Sequence, residues 1–297
     1  MRLHLGCGDD RLPGFINADI RETPGTDLVL DLEVPALPPG KVELLFSNAF
    51  FEHLRRERRA DHLRAARTAL HPERGMLCYI GIPYFRQVAR AYLDEDGGTA
   101  GPLFDLANAY RYTHGAPEGV DWWEEQLHKS LFDAREVHGL LTDAGFAAYV
   151  AFAYGYPGDH TELPVTMGFA ATAATIGVDA LLERTSELLA EFDGVRLRAD
   201  SLRVLLVVAD GELLHLDEYR SPAARAATGL RAAERGDLET AADELRRAID
   251  LEALNDLAVV AHARGDVELS RALLTACLAL EPGHAAATEN AAALASG

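Results

Sequence analysis

MRLHLGCGDDRLPGFINADI, residues 1–20, reads as two short strands around a tight turn. Met1–Leu5 is a run of long and apolar side chains, broken by Gly6-Cys7-Gly8. The two glycines lack a Cβ, so the backbone there can take φ > 0 and a ligand can approach the main chain closely. Phe15–Ile20 supplies the second strand, with Asp19 and Ile20 at its carboxyl end. In an open α/β sheet, ligands sit outside the carboxyl ends of the strands. A carboxylate in that position can accept both hydroxyls of a ribose. The pattern points to a nucleoside site built on the ends of two neighbouring strands.

Gly-x-Gly alone is a weak signal. The dinucleotide fingerprint needs a third glycine three residues on, opening a helix that receives a pyrophosphate. Here that position is Arg11, and Gly14 lies too far along, behind Pro13. A ribose binder without pyrophosphate therefore ranks above a nicotinamide binder. A Gly-rich surface turn with no ligand is the bland alternative.

Four blocks follow in order: LHLGCG, LPGFINADI, DLVLDLEVPALP and VELLFSNAFFEHL. Together they resemble the class I S-adenosylmethionine-dependent methyltransferases, in particular a small bacterial branch whose chains begin almost at the glycine motif. The resemblance spans about residues 1–175. It implies a Rossmann-like, seven-stranded α/β sheet whose last strand runs antiparallel between its neighbours, and S-adenosyl-L-methionine as cofactor. It further implies that Gly6, Cys7 and Gly8 contact the methionine part, and that Asp19, with Ile20 beside it, holds the ribose. Asp31 and Leu32 would lie by the adenine, and Asn48 near the cofactor after the fourth strand. One departure from the family is plain. Only ten residues separate Gly8 from Asp19, too few for the usual intervening helix.

Further strands are expected at 27–30, 42–47, 76–82, 146–153 and 166–174. A helix should run from about Asn48 to Leu70, ended by His71-Pro72. Asp133 is placed to cap a helix over 134–144, with Glu136 completing a capping-box-like pattern. The stretch 83–127 has no sheet pattern and reads as an insertion. Its aromatic residues suit a substrate wall, with Tyr84 and Trp122 as candidates, and equally suit packing of the insertion onto its domain. In the resembled branch a His-x-x-x-Phe-Asp stretch like that starting at His128 lies near the pocket mouth, which makes His128 a third candidate.

After residue 175 the character changes. Residues 176–220 read as a connector: an amphipathic helix, then a β-hairpin around Asp210-Gly211. Residues 221–297 form an Ala-rich helical tail. Within it, residues 233–252 resemble 261–282, each with Gly-Asp between helical patterns, as in tetratricopeptide repeats. Such a tail can dock a protein partner or form a homodimer.

The chain has 297 residues and a formal charge of -19. The charge argues against nucleic acid, whose binding rests on Lys and Arg neutralising phosphates. No apolar run is long enough to cross a membrane, and strand-like sequence begins at Met1, so a cytoplasmic protein is expected. Cys7, Cys78 and Cys277 are far apart and read as buried small residues. No two histidines stand at a ligand spacing with a carboxylate, so no metal is expected from spacing.

His53, within Phe51-Glu52-His53-Leu54, is the candidate catalytic base, because imidazole can take a hydroxyl or amine proton near neutral pH. The weighty alternative is that it only orders the helix start and the cofactor pocket. The favoured function is methyl transfer to an oxygen or nitrogen of a small-molecule, sugar or peptide acceptor. The alternative is a non-catalytic scaffold with a vestigial nucleotide-like domain, binding a protein through its tail.

Overall fold

The computed structural model describes residues 1–94, 104–115, 123–157, 163–216, 251–263 and 265–296, with the isolated positions 121, 161, 231, 235 and 237. The chain divides into two compact units, Met1–Asp217 and Glu218–Gly297.

The first unit is a nine-stranded sheet. Its strands are β1 (Arg2–Leu5), β2 (Ile16–Asp19), β3 (Leu28–Val29), β4 (Leu44–Asn48), β5 (Met76–Pro83), β6 (Ala148–Tyr154), β7 (Thr166–Thr172), β8 (Arg203–Ala209) and β9 (Glu212–Leu216). They lie in the order β3-β2-β1-β4-β5-β7-β6-β8-β9. The pairs β1–β2, β2–β3, β1–β4 and β4–β5 are parallel, and β7 runs antiparallel to both β5 and β6. The expected antiparallel strand between its neighbours is therefore present. The expected count of seven is corrected to nine. The hairpin read as part of a connector adds two strands, because β8 pairs with the outer edge of β6. Its turn is as the Asp-Gly pair requires, with φ of 52° at Asp210 and 78° at Gly211.

Helices cover both faces, which buries the central strands on both sides. On one face α1 (Arg59–Ala69) and α5 (Ala134–Asp143) pack Leu63, Ala66, Val137 and Leu141 against Leu3, Leu5, Leu45 and Leu77. On the other, α6 (Val178–Ala190) sets Leu181, Leu188 and Leu189 against Phe46, Cys78 and Val150. Asp133 caps α5 as expected, accepting the Glu136 N–H at 2.9 Å. The Glu136 carboxylate does not close a capping box but pairs with buried Arg59 at 3.1 Å.

The missing helix between β1 and β2 has a physical substitute. A parallel crossover usually takes a dozen or more residues. Here a loop of turns does it, stapled by Asn17, which is fully buried. Its Oδ1 accepts the Leu12 N–H at 2.9 Å, and its Nδ2 donates to the carbonyls of Leu12 and Phe15 and to Asp27 Oδ2. One amide side chain thus supplies hydrogen bonds that a helix would otherwise make internally.

The helix expected over 48–70 is split. Phe51–His53 is a single 3-10 turn, Leu54 is extended, and α1 begins at Arg59. His62 on α1 ties this region together. It is fully buried, with Nδ1 2.6 Å from the Leu32 carbonyl and Nε2 2.6 Å from the Tyr79 hydroxyl. Burial pushes its pKa down to about 4. The unfolded chain then binds a proton between about pH 6.5 and 4 that the folded chain does not, so stability is full above pH 6.5 and falls as pH drops through that window. The expected loss from this group is about 3 kcal/mol by pH 4. Urea midpoints measured from pH 7.5 to 4 check it, with a shallower slope in His62→Gln. An identical slope in that variant would contradict the assignment.

Within the insertion, α2 (Phe85–Asp94) and α3 (Leu106–His114) pack together through Val88, Ala91 and Phe104, onto Val165. A one-turn helix, α4 (Trp123–Gln126), follows. In the second unit, α7 (Leu251–Ala263), α8 (Val267–Leu280) and α9 (Ala285–Ser296) enclose a small core of Ala258, Leu274, Cys277 and Ala287. Gly265-Asp266 turns α7 into α8, and Asp266 caps α8 through the Leu269 N–H. Most of the first proposed repeat, residues 233–252, lies outside the described residues, so the repeat pairing does too. Among the described residues, no helix is long and apolar enough to cross a membrane.

Candidate active site

The parallel strands β1, β2 and β4 all end on one edge of the sheet, where a cavity of about 780 Å³ opens. Gly6, Gly8, Asp19, Ile20, Asp31 and Leu32 line it, together with His53 and His128. These are eight of the residues expected from sequence, brought to one place by strand order.

The glycine loop and the acid are directly coupled. Asp19 is 7% exposed, and its Oδ2 accepts the Gly8 N–H at 2.8 Å while Oδ1 accepts the Arg21 N–H at 3.0 Å. Gly6 has φ 66°, and a Cβ there would meet the Phe50 ring at 2.6 Å. Only glycine lets the loop lie this close on Phe50. Asp31 is exposed and accepts the Glu33 N–H at 2.9 Å, which shapes the turn that presents Leu32.

Three expected residues stand elsewhere. Cys7 is behind the loop, with Sγ 3.5 Å from the Gly8 carbonyl and 3.9 Å from Thr26 Oγ1. Asn48 sits under the wall, which Ala49 and Phe50 form instead. Tyr84, proposed as a substrate contact, is 2% exposed and packs in the core, bridging to Phe132. Its ring fills space between sheet and insertion, the packing role that was open from sequence. Trp122 lies outside the described residues. Among the insertion's described aromatic residues, Tyr112 is the one on the cavity wall.

The part of the cavity lined by His53 and His128 is built from backbone staples. Lys129 N–H donates to the Glu52 carbonyl at 2.8 Å, and His128 N–H to the His114 carbonyl at 3.1 Å. These hold the segment after the insertion against the 3-10 turn. The rings of His53 and His128 then stand edge to face, centroids 4.9 Å apart. His53 Nδ1 is 3.1 Å from the Leu127 carbonyl, and the Glu125 carbonyl also faces the ring. His128 Nδ1 is 2.8 Å from the Tyr112 carbonyl. A carbonyl can only accept, so the Nδ1 contact puts the proton on Nδ1 in each ring and leaves the lone pair on Nε2, although at His53 the Glu125 carbonyl competes for a ring proton. Burial pushes His53 down to about pKa 4, with the neighbouring His128 adding to the effect, and burial lowers His128 as well. Both rings are neutral at neutral pH.

Glu52 was missed from sequence. It is 1% exposed, lines the cavity, and burial pushes its pKa up to about 8. Nothing in Phe51-Glu52-His53 signals an acid turned inward. Gly81 was missed too, although a glycine inside an apolar strand signals a close backbone approach.

No family model and no curated protein matches the chain. Among solved structures, the chain is similar to a SAM-dependent methyltransferase of Thermotoga maritima described as a possible histamine N-methyltransferase. Identity is 13%, TM-score 0.39, over 58% of this chain and 81% of that one. It is also similar to a TehB-like SAM-dependent methyltransferase of Corynebacterium glutamicum, at 12% identity and TM-score 0.33, over 57% and 78%. A SAM-dependent methyltransferase of Methanosarcina mazei gives 12% and 0.36, over 58% and 92%. Likenesses of this size carry no functional argument, which rests on the geometry above.

Proposed function

We propose that the chain transfers a methyl group from S-adenosyl-L-methionine to an oxygen or nitrogen of a small-molecule, sugar or peptide acceptor. The observation that carries this reading is the pairing of Asp19 with the Gly6–Gly8 loop on the cavity wall. The residues fit the cofactor. Each Asp19 oxygen already accepts one N–H, and a carboxylate oxygen retains a further lone pair, enough for two ribose hydroxyls. Ile20 and Leu32 offer apolar surface for an adenine, with Asp31 beside them. The loop brings unshielded main chain to the methionine part. The cavity volume is that of an ordinary small-molecule site.

When bound, the cofactor supplies an electrophilic methyl carbon on a sulfonium. The chain's own work is to hold it at one end of the cavity and the acceptor at the other. In this reading His53 faces the acceptor and takes its O–H or N–H hydrogen through Nε2, with His128 alongside. Cys7 and Asn48 do not line the cavity, so no cofactor contact is assigned to their side chains.

Asp19→Ala should weaken binding of the cofactor by roughly 1.5–3 kcal/mol, the scale of hydrogen bonds to a charged group. Titration calorimetry of variant and parent, with S-adenosylmethionine and its demethylated product, checks this. A folded variant that binds as the parent does would remove the ribose assignment. Failure of the parent itself to bind either compound at millimolar concentration would favour the scaffold alternative.

A further inference from the structure

We propose that Glu52, His53 and His128 form a binding site for one divalent first-row transition-metal ion of the zinc class, open towards the cavity. This departs from the expectation of no metal drawn from sequence spacing, which saw neither the burial of Glu52 nor its approach to His128. It does not need the methyl-transfer reading, and where the ion is bound it replaces the base role given to His53 there, because Nε2 has one lone pair to give.

The first ground is geometry. One ligand atom from each of the three lies within 4.8 Å of the other two, and His53 Nε2 is 4.0 Å from Glu52 Oε1. Ligand atoms around a tetrahedral zinc with bonds of about 2.0–2.1 Å sit about 3.3 Å apart. The printed side is thus about 0.7 Å too wide and none exceeds the ideal by more than about 1.5 Å, which the three side chains must close on binding.

The second ground is the outer shell. Metal-binding histidines characteristically donate the other ring N–H to a carbonyl or carboxylate, which fixes the tautomer and aims the lone pair. Both rings do so here, His53 to Leu127 and His128 to Tyr112. Two imidazoles are held the same way, on segments joined by the Lys129–Glu52 backbone bond.

The third ground is independent of the histidines. Glu52 Oε2 is buried with no hydrogen-bond partner. A buried polar atom left unpaired costs about 1–3 kcal/mol, more if charged, so its retention at a cavity wall calls for a ligand. A cation supplies one. The donor set selects the class: two imidazoles and a carboxylate suit zinc, iron, cobalt or nickel, whereas magnesium and calcium prefer oxygen alone. Three protein ligands leave a position that water, or an acceptor oxygen or nitrogen, can fill from the cavity.

The test uses the full chain, stripped with chelator and then titrated with Co²⁺ and with Zn²⁺. Bound metal is counted by elemental analysis, and the Co²⁺ visible spectrum is recorded. The expected result is one ion per chain and a ligand-field band of low-symmetry nitrogen and oxygen coordination. His128→Gln and Glu52→Gln should each weaken binding by at least about a hundredfold, while His215→Ala on β9 leaves it unchanged. Each variant is checked by circular dichroism. If one fails to fold, the parent's spectrum and the remaining variant decide. No saturable binding by the parent, or binding unchanged in a folded His128→Gln or Glu52→Gln, would overturn the proposal. Loss of methyl-cofactor binding with metal binding retained would instead strike only the function proposed above.

Discussion

Gly81→Ala is expected to destabilise the sheet unit by about 2–5 kcal/mol. Gly81 lies in β5 at an irregularity in the register with β7, between Tyr79 and Ile82. Its φ is 78°, and a Cβ there would sit 2.5 Å from the Ala49 backbone nitrogen and 2.8 Å from Asn48 Oδ1. The Ala49 N–H donates to the Ile80 carbonyl at 2.9 Å, so that backbone is itself pinned, with φ 51° at a non-glycine residue. The methyl group therefore meets main chain that cannot swing aside as a flexible side chain would. A left-handed conformation costs an L-residue about 1–2 kcal/mol, and overpacking a tight site a further 1–3. The Gly81 N–H bond to the buried Tyr154 hydroxyl, at 2.6 Å, is also at risk. Urea unfolding at constant slope measures the loss. A change under about 1 kcal/mol would mean that the β4 and β5 ends are not packed as described.

In chelator-treated, metal-free protein, His53→Ala is expected to lower turnover about a hundredfold to ten-thousandfold, the usual contribution of a positioned acid–base group, with cofactor affinity nearly unchanged. The ring hydrogen-bonds to Leu127 and not to the Asp19–Gly8 pair, so its removal leaves the proposed cofactor contacts in place. Its Nδ1–H is committed to the Leu127 carbonyl, which fixes which nitrogen meets an acceptor. Single-turnover rates and calorimetry on one preparation separate the outcomes. If affinity and turnover fall together and modestly, His53 only orders the 3-10 turn, the second role available from its sequence setting.

What was legible in the sequence was local. Gly6 and Gly8 break β1, Asp19 ends β2, Asp210-Gly211 makes a hairpin turn and Asp133 caps α5, because each depends on backbone geometry within a few residues. What was not legible depends on partners distant in the chain. That β8 would add to the edge of β6 is decided by an open sheet edge, not by the hairpin. The broken helix after β4 goes with His62 on α1 being held between Leu32 and Tyr79, two segments with no mark of each other. Tyr84 carries the same aromatic signal whether it lines a wall or fills a core, and here it fills a core. Glu52 and His128 meet only because Lys129 donates to the Glu52 carbonyl, a main-chain bond that no side-chain pattern announces.

The central claim is that the cavity at the ends of β1, β2 and β4 takes a sulfonium nucleoside in one orientation. A crystal structure with the demethylated cofactor tests it most directly. The account predicts the ribose hydroxyls on Asp19, the amino-acid part along Gly6–Gly8, and the His53 ring within about 8 Å of the sulfur, a reach compatible with near-attack geometry once the acceptor is between them. A ligand bound away from Asp19, or the imidazole beyond that distance with its face turned into the core, would contradict it.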